Sequence, residues 1–105
     1  MVLVETSVFT RQVATALSDD VYHQLQAALA ERPDLGARIP GGGGLRKVRW
    51  SAPGRGKRGG VRVIYYWVVD RDLILMLFLY PKNVQGDLSA RQLRVLRRII
   101  EEEYL

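Results

Sequence analysis

The sequence predicts a single α+β domain in which helices pack against one small sheet. Apolar residues recur at helical spacing in two segments near the N-terminus and in one at the C-terminus, whereas short alternating or fully apolar runs in the second half are typical of strands. Segments rich in Gly, Pro or Asp separate these runs. With 105 residues, of which 48% are hydrophobic, the chain can form one compact core. The predicted order is strand, two helices, a three-strand meander and a helix.

The N-terminal part is predicted to form a strand and a helical hairpin. Residues 2 to 5 are rich in valine and predict the strand. Ser7 is the expected cap of the first helix, and Ser18 with two following acids opens the second, which Pro33 ends. The two apolar stripes are Phe9, Val13, Ala16 and Leu17 in the first helix, and Val21, Tyr22, Leu25, Ala28 and Leu29 in the second.

The second half is predicted to form the meander and the last helix. Residues 34 to 44 form a loop, and strands span residues 45 to 51, 61 to 69 and 73 to 80, with a tight turn at 70 to 72. The third of these strands is apolar at nearly every position, which fits a central strand covered on both faces. Ser89 and Gln92 match a capping box that opens the final helix. We expect the N-terminal strand and the meander to form a small antiparallel sheet.

A basic stretch from residue 41 to residue 66 contains no acidic residue. Strand alternation places Lys47 and Arg49 on one face and Val48 on the other, and places Arg62 on the side opposite its apolar neighbour Val63. If the apolar faces align, Lys47, Arg49 and Arg62 converge on one exposed patch, which is suited to a polyanion such as RNA. The cations of the stretch are Arg46, Lys47, Arg49, Arg55, Lys57, Arg58 and Arg62.

Composition narrows the possible functions. A formal net charge of +5 and a pI near 10.0 favour nucleic acid, an acidic protein or an anionic membrane as partner. The chain has no cysteine and one histidine, His23, so thiolate chemistry and multi-histidine metal sites are not expected. The glycines at 41 to 44 are not followed by the Lys-Ser or Lys-Thr of a phosphate-binding loop. We see no signal peptide or membrane span and expect a cytoplasmic protein.

The basic and aromatic residues of this stretch also have interpretations that involve no catalysis. Basic strands occur in proteins that bind nucleic acid without cutting it, so a non-catalytic module remains open. The basic segment at 56 to 60 fits a solvated loop as well as one that closes on phosphate. Among the aromatic residues, Tyr66 is the one expected on the charged face, where it could stack on a base. Lys82 and Asn83 directly follow the apolar strand, a position that suits a site or an ordinary turn.

Several motifs resemble the HigB/RelE family of type II toxins. They are Gly-Leu-Arg-Lys-Val-Arg, Gly-Lys-Arg-Gly-Gly-Val-Arg-Val-Ile-Tyr-Tyr, Leu-Tyr-Pro-Lys-Asn and Asp-Leu-Ser, in this order from about residue 44 to residue 89. The second and third are similar to the HigB branch in particular. The resemblance implies a RelE-like fold and a messenger RNA endoribonuclease that acts in the ribosomal A site. It also implies a cognate antitoxin, commonly with a helix-turn-helix domain in this branch.

The resemblance further implies a set of catalytic residues. Lys47 and Arg49 match catalytic cations of the second strand, Arg62 matches an arginine early in the third, and Lys82 and Asn83 occupy a polar region after the last strand. Some members have a tyrosine at the start of the final helix, where this chain has Ser89 or no equivalent, so the general acid and base stay unassigned. Arg46, Arg55, Lys57, Arg58 and Tyr66 are expected to bind RNA.

The expected reaction uses the ribose 2′-hydroxyl as nucleophile. Arg49 and Arg62 would stabilise phosphorane charge, Lys47 would act as base or electrostatic activator, Lys82 would protonate the leaving group and Asn83 would position it. The products would be a 2′,3′-cyclic phosphate and a 5′-hydroxyl, with no metal or other cofactor required. Besides the non-catalytic module, a gyrase-inhibiting toxin of the same fold and a plain interaction domain remain alternatives.

Overall fold

The computed structural model describes residues 1–51 and 60–104. Over these residues the α+β class is confirmed, with helices on both sides of a single sheet. The elements in chain order are β1 Val2–Glu5, α1 Ser7–Ala16, α2 Asp19–Glu31, β2 Ala37–Arg38, β3 Arg46–Trp50, β4 Val61–Val68, β5 Leu73–Pro81 and α3 Ala90–Tyr104, with a 3₁₀ turn Val69–Arg71 between β4 and β5. None of the described helices is long and apolar enough to cross a membrane.

The sheet has the strand order β1-β5-β4-β3-β2, and it is mixed rather than antiparallel. The meander β3-β4-β5 is antiparallel as predicted, but β1 pairs in parallel with β5, with Val2 opposite Leu73. The prediction of a wholly antiparallel sheet is therefore wrong for β1. Local alternation carries no information on the direction of a strand whose partner lies about seventy residues away. The short β2, which pairs with β3, lies within a segment predicted as loop.

Side-chain caps fix the starts of the helices. Thr6, rather than the predicted Ser7, caps α1: its hydroxyl accepts a hydrogen bond from the Phe9 amide and donates one to the Leu77 carbonyl, which ties the helix start to β5. Ser18 caps α2 as predicted. The capping box is confirmed, since the Ser89 hydroxyl accepts from the Gln92 amide while the Gln92 side chain accepts from the Ser89 amide.

The sheet separates two clusters of buried side chains in the described part of the chain. The helical hairpin α1–α2 packs on one face around Phe9, Leu25 and Tyr65, and α3 packs on the other around Ile64 and Ile100. Because β5 is covered on both faces, its nearly continuous apolar run is explained as predicted. We refer to the two sides of the sheet as the hairpin face and the α3 face.

A β-bulge in β5 decides which side chains point to the α3 face near the end of that strand. Tyr65 lies opposite Met76, but the preceding residue Ile64 lies opposite Phe78, so that Leu77 is an extra residue. Beyond the bulge the alternation is shifted by one position. As a result Tyr80 lies on the α3 face, directly opposite Arg62.

Gly60 joins the beginning of β4 to the end of β5. Its φ of +56° is in the left-handed region, and a Cβ atom there would lie 2.2 Å from the carbonyl oxygen of Trp50. Its own carbonyl accepts a hydrogen bond of 3.0 Å from the Lys82 amide. A residue without a side chain is therefore required where β3, β4 and the end of β5 come together.

Replacing Gly60 with alanine should destabilise the domain more than the same change at Gly41. Both glycines have a positive φ, which costs alanine about 1–2 kcal/mol, but no atom lies within 4 Å of a Cβ at Gly41. At Gly60 the clash with backbone atoms adds to that cost. Urea unfolding of Gly60→Ala and Gly41→Ala measures the difference. Equal losses of unfolding free energy would contradict this account of Gly60.

Candidate functional site

Three cationic side chains lie together on the α3 face of β3 and β4. Arg49 is directly opposite Arg62 in the antiparallel register, and Lys47 lies opposite Ile64, one side-chain position along the same face. Side chains directly opposite in such a pair have Cβ atoms about 5 Å apart. The shared face of Lys47, Arg49 and Arg62 agrees with the alternation, and we call these three residues the basic cluster.

Arg62 is buried, which contradicts the expected exposed patch at this position. Only 5% of its surface is accessible, because β4 is an inner strand and Arg62 is flanked by Arg49 on β3 and Tyr80 on β5. Arg49 itself is exposed. The cluster thus runs from solvent to the edge of the core. A guanidinium in such a low-dielectric position interacts more strongly with an anion than an exposed one does.

Lys47 forms an ion pair with Asp87, a residue that the sequence pattern did not single out. The Lys47 Nζ atom lies 3.3 Å from Asp87 Oδ1, and the two side chains are 32% and 74% accessible. The hydrogen bond from the Leu88 amide lowers the pKa of the Asp87 carboxyl, and the nearby charges of Lys47 and Lys82 lower it further. The Asp-Leu-Ser motif could have drawn attention to Asp87, but only as the lead-in to a helix.

A network of side-chain hydrogen bonds holds Asp87 next to the basic cluster. The Gln85 side-chain amide donates to the Asp87 carbonyl at 2.8 Å and to the Gln92 side-chain oxygen at 2.9 Å. The same Gln92 oxygen accepts the Ser89 amide of the capping box. The segment after β5 and the first turn of α3 therefore form one hydrogen-bonded unit, and this unit positions the Asp87 carboxylate next to Lys47.

Lys82 and Asn83 occupy the turn that follows β5, and both are exposed. The charge of Lys82 contributes to the lowered pKa of the Asp87 carboxyl, so Lys82 is near this carboxylate. Asn83 lines a cavity of about 540 Å³ bounded by α1, the beginning of β4 and the end of β5. Lys82 is thus related to the basic cluster through Asp87, which pairs with Lys47.

Two residues expected to bind RNA are placed elsewhere. Arg46 projects from β3 on the hairpin face, where its guanidinium donates a hydrogen bond of 2.8 Å to the Gly36 carbonyl and braces the segment before β2. Tyr66 is on the α3 face but four residues beyond Arg62, a separation of about 13 Å along a strand. Its ring packs against Tyr104 of α3, with the ring centroids 6.4 Å apart. Arg55, Lys57 and Arg58 lie outside the described residues.

Tyr80 is a further polar residue next to the cluster. It is 2% accessible, lies opposite Arg62, and its hydroxyl has no hydrogen-bond partner among the described residues. Burial raises the pKa of the phenol and the Asp87 charge raises it further, while the Arg62 charge opposes the shift. The phenol is therefore neutral and able to donate. The sequence pattern gave no reason to place Tyr80 here, because regular alternation without the bulge would direct it to the hairpin face.

Replacing Asp87 with asparagine should reduce the dependence of stability on acid pH. The carboxyl pKa is lowered on folding from its ordinary value of 3.8, so its charge stabilises the fold above that pH, and this contribution is lost as pH falls through the lowered folded value. Since the pair is exposed, the effect should not exceed about 1 kcal/mol. Urea unfolding between pH 7 and pH 2 should show a steeper loss for the natural chain than for Asp87→Asn.

A Lys47→Met background provides the control for this measurement, because the part of the effect that passes through the ion pair disappears there. Parallel pH curves for the natural chain and Asp87→Asn would show that the carboxylate contributes nothing to stability.

The comparison with protein families agrees with the fold. The family described as the RelE toxin of the RelE / RelB toxin-antitoxin system matches residues 4–104, which is nearly the whole chain. The match includes every helix and the strands that carry the cluster. The chain therefore belongs to the RelE family and is the toxin component of a toxin–antitoxin system.

Proposed function

We propose that this toxin is an endoribonuclease of the HigB branch that cuts messenger RNA on the ribosome and thereby inhibits translation. RelE toxins are in general endoribonucleases. The observation that carries the proposal is the direct pairing of Arg49 with Arg62 beside Lys47 on one face of the sheet. Three cations on neighbouring positions of one sheet face can contact a single phosphodiester. The proposed activity places the toxin in the cytoplasm, with the ribosomes.

In the proposed reaction the ribose 2′-hydroxyl loses its proton to solvent water, the 2′-oxygen bonds to the adjacent phosphorus, and the bond from phosphorus to the 5′-oxygen breaks. Arg49 and Arg62 stabilise charge on the non-bridging oxygens, and the low exposure of Arg62 strengthens its share. The ion pair of Lys47 with Asp87 supports a role for its ammonium as electrostatic activator of the 2′-hydroxyl. These contacts involve protein cations alone, so the proposed mechanism is independent of metal.

The leaving 5′-oxygen requires a proton, and Lys82 is the proposed donor because it is exposed and lies beside the Asp87 that pairs with Lys47. Asn83, in the same turn, is proposed to position the RNA around the departing nucleotide. The products are a 2′,3′-cyclic phosphate and a 5′-hydroxyl. Arg55, Lys57 and Arg58 remain proposed RNA contacts on sequence grounds.

The RelE family implies an antitoxin as partner. We propose that this antitoxin carries a helix-turn-helix domain and that acidic side chains cover the basic cluster in the inhibited complex. The ion pair between Lys47 and Asp87 is a precedent within the chain, since it shows a carboxylate accommodated at the cluster. Such an inhibitor would compete directly with RNA phosphate.

Replacing Arg62 should nearly abolish cleavage. Because Arg62 is buried, Arg62→Met preserves most of the side-chain volume and is the primary variant, with Arg62→Ala alongside it. Loss of a donor to the developing phosphorane charge should lower the cleavage rate by about 100-fold or more. Mapping transcript 5′ ends after induced expression measures the effect.

Arg71→Met is the matched control, since Arg71 is in the turn at the other end of β4 and contacts the Tyr104 ring. It should leave cleavage unchanged. A folded Arg62→Met variant that cuts like the natural chain would refute the assignment of Arg62. If the natural chain binds RNA but produces no new ends, the non-catalytic alternative is correct.

Replacing Arg49 should weaken the salt dependence of RNA binding. Each cation that neutralises a phosphate of single-stranded nucleic acid contributes about 0.7 to the slope of log affinity against log salt. Arg49→Gln should lower the slope by about that amount, whereas Arg71→Gln, with the same charge change far along β4, should not. Binding is measured with a short oligonucleotide that lacks 2′-hydroxyls and so is not cut. Equal slopes for both variants would remove Arg49 from the RNA contact.

A further inference from the structure

The Tyr80 hydroxyl is a buried hydrogen-bond donor that the described fold does not use. It has no partner in the described part of the chain, and the residue is 2% accessible. Leaving a buried polar group unpaired costs about 1–3 kcal/mol. Phenylalanine would occupy the same space without that cost. The hydroxyl therefore requires an explanation other than stability of the fold.

Tyr65 shows how this chain uses a buried tyrosine for structure. Its hydroxyl donates to the Pro33 carbonyl at 2.7 Å and accepts from the Gly36 amide at 2.8 Å. It thereby anchors the segment between α2 and β2 to the sheet. Tyr80 has no equivalent task among the described residues, although it is the same residue type and lies on the neighbouring strand.

The position of Tyr80 links it to the basic cluster. Arg49, Arg62 and Tyr80 form a row across three adjacent strands, because Arg62 is directly opposite Arg49 on one side and Tyr80 on the other. Adjacent strands are about 4.8 Å apart, so the row spans about 10 Å. All of its members are N–H or O–H donors, and such a row is complementary to the oxygens of one phosphate and its neighbours.

Asp87 indicates where an anion is accommodated next to this row. Its carboxylate is bonded to Lys47, and its charge acts on both Lys82 and Tyr80. One negative charge is thus close to three groups from two separate segments of the chain, namely β3 and the end of β5 with the turn that follows it. An RNA phosphate that replaces the carboxylate at Lys47 would enter the same space and would release the segment around Asp87.

We propose that the Tyr80 hydroxyl donates a hydrogen bond to a non-bridging oxygen of the RNA phosphate that Arg62 binds, so that Tyr80 is a further catalytic residue. This inference rests on the proposed function. Asp87 pairs with Lys47 until RNA binds. Tyr80 remains neutral near physiological pH, and it adds a donor where charge develops without adding a net charge.

The test compares Tyr80→Phe with Trp67→Phe. The Trp67 indole nitrogen is the other buried side-chain donor without a partner among the described residues, and Trp67 packs on the hairpin face. Each change thus removes one unused donor, but only one of them is beside Arg62. Tyr80→Phe should unfold in urea at the same or higher concentration than the natural chain and lower kcat by about 10- to 100-fold. Trp67→Phe should retain full kcat when folded.

A phosphorothioate at the cleaved linkage provides a readout that a purely structural role would not change. Sulfur accepts hydrogen bonds poorly, so the natural enzyme should be slowed more by one diastereomer than by the other. In Tyr80→Phe that difference should shrink, because the donor is already absent. An unchanged preference between diastereomers, or a natural kcat in Tyr80→Phe, would overturn the proposal.

These outcomes separate the inference from the function on which it rests. If the natural chain cuts RNA, and cleavage is lost in Arg62→Met but retained in Tyr80→Phe, then the role of Tyr80 is refuted and the nuclease function is supported. If the natural chain does not cut RNA, the proposed nuclease function is refuted, and the proposed role of Tyr80 is refuted with it.

Discussion

The pairing of β4 with β3 and β5 is the constraint on which the candidate site depends. β4 is the inner strand that places Arg62 between Arg49 and Tyr80. A shift of one residue in either register would turn Arg62 or one of its neighbours to the hairpin face. The apolar alternation of β4 prevents such a shift, since Val61, Val63 and Tyr65 must face the hairpin. The same side chains that form the core thus determine the geometry of the cations.

The bulge in β5 extends this row to a third strand. Without the extra residue Leu77, the position opposite Arg62 would be Leu79, and Tyr80 would face the hairpin. A bulge disrupts a ladder locally, and bulges are common next to active sites because they redirect a side chain. Here the redirected residue is a buried tyrosine whose hydroxyl has no hydrogen-bond partner within residues 1–51 and 60–104. We interpret the bulge as part of the site.

The α3 face has a packed, apolar end and an end that contains the basic cluster. Near the turn between β4 and β5, Leu75, Tyr66 and Tyr104 pack together, and this end is structural. At the other end, the start of α3 holds Asp87 against Lys47 through the Gln85–Gln92 network. A change in the position of Asp87 would therefore affect both the start of α3 and the basic cluster. An anion that displaces Asp87 would in this way also affect the hydrogen bonds of the capping box.

The sequence by itself determined the class of fold, most element boundaries, the capping box and the shared face of Lys47, Arg49 and Arg62. These follow from alternation, helical spacing and local capping, which act over a few residues. Only the tertiary structure decided the parallel pairing of β1, the burial of Arg62, the ion pair of Lys47 with Asp87 and the direction of Tyr80. Each of these depends on contacts between distant segments or on one extra residue in a strand, and no local pattern encodes either. The same limit applies to the contacts of Arg46 with the Gly36 carbonyl and of Tyr66 with Tyr104 of α3, which also join distant segments.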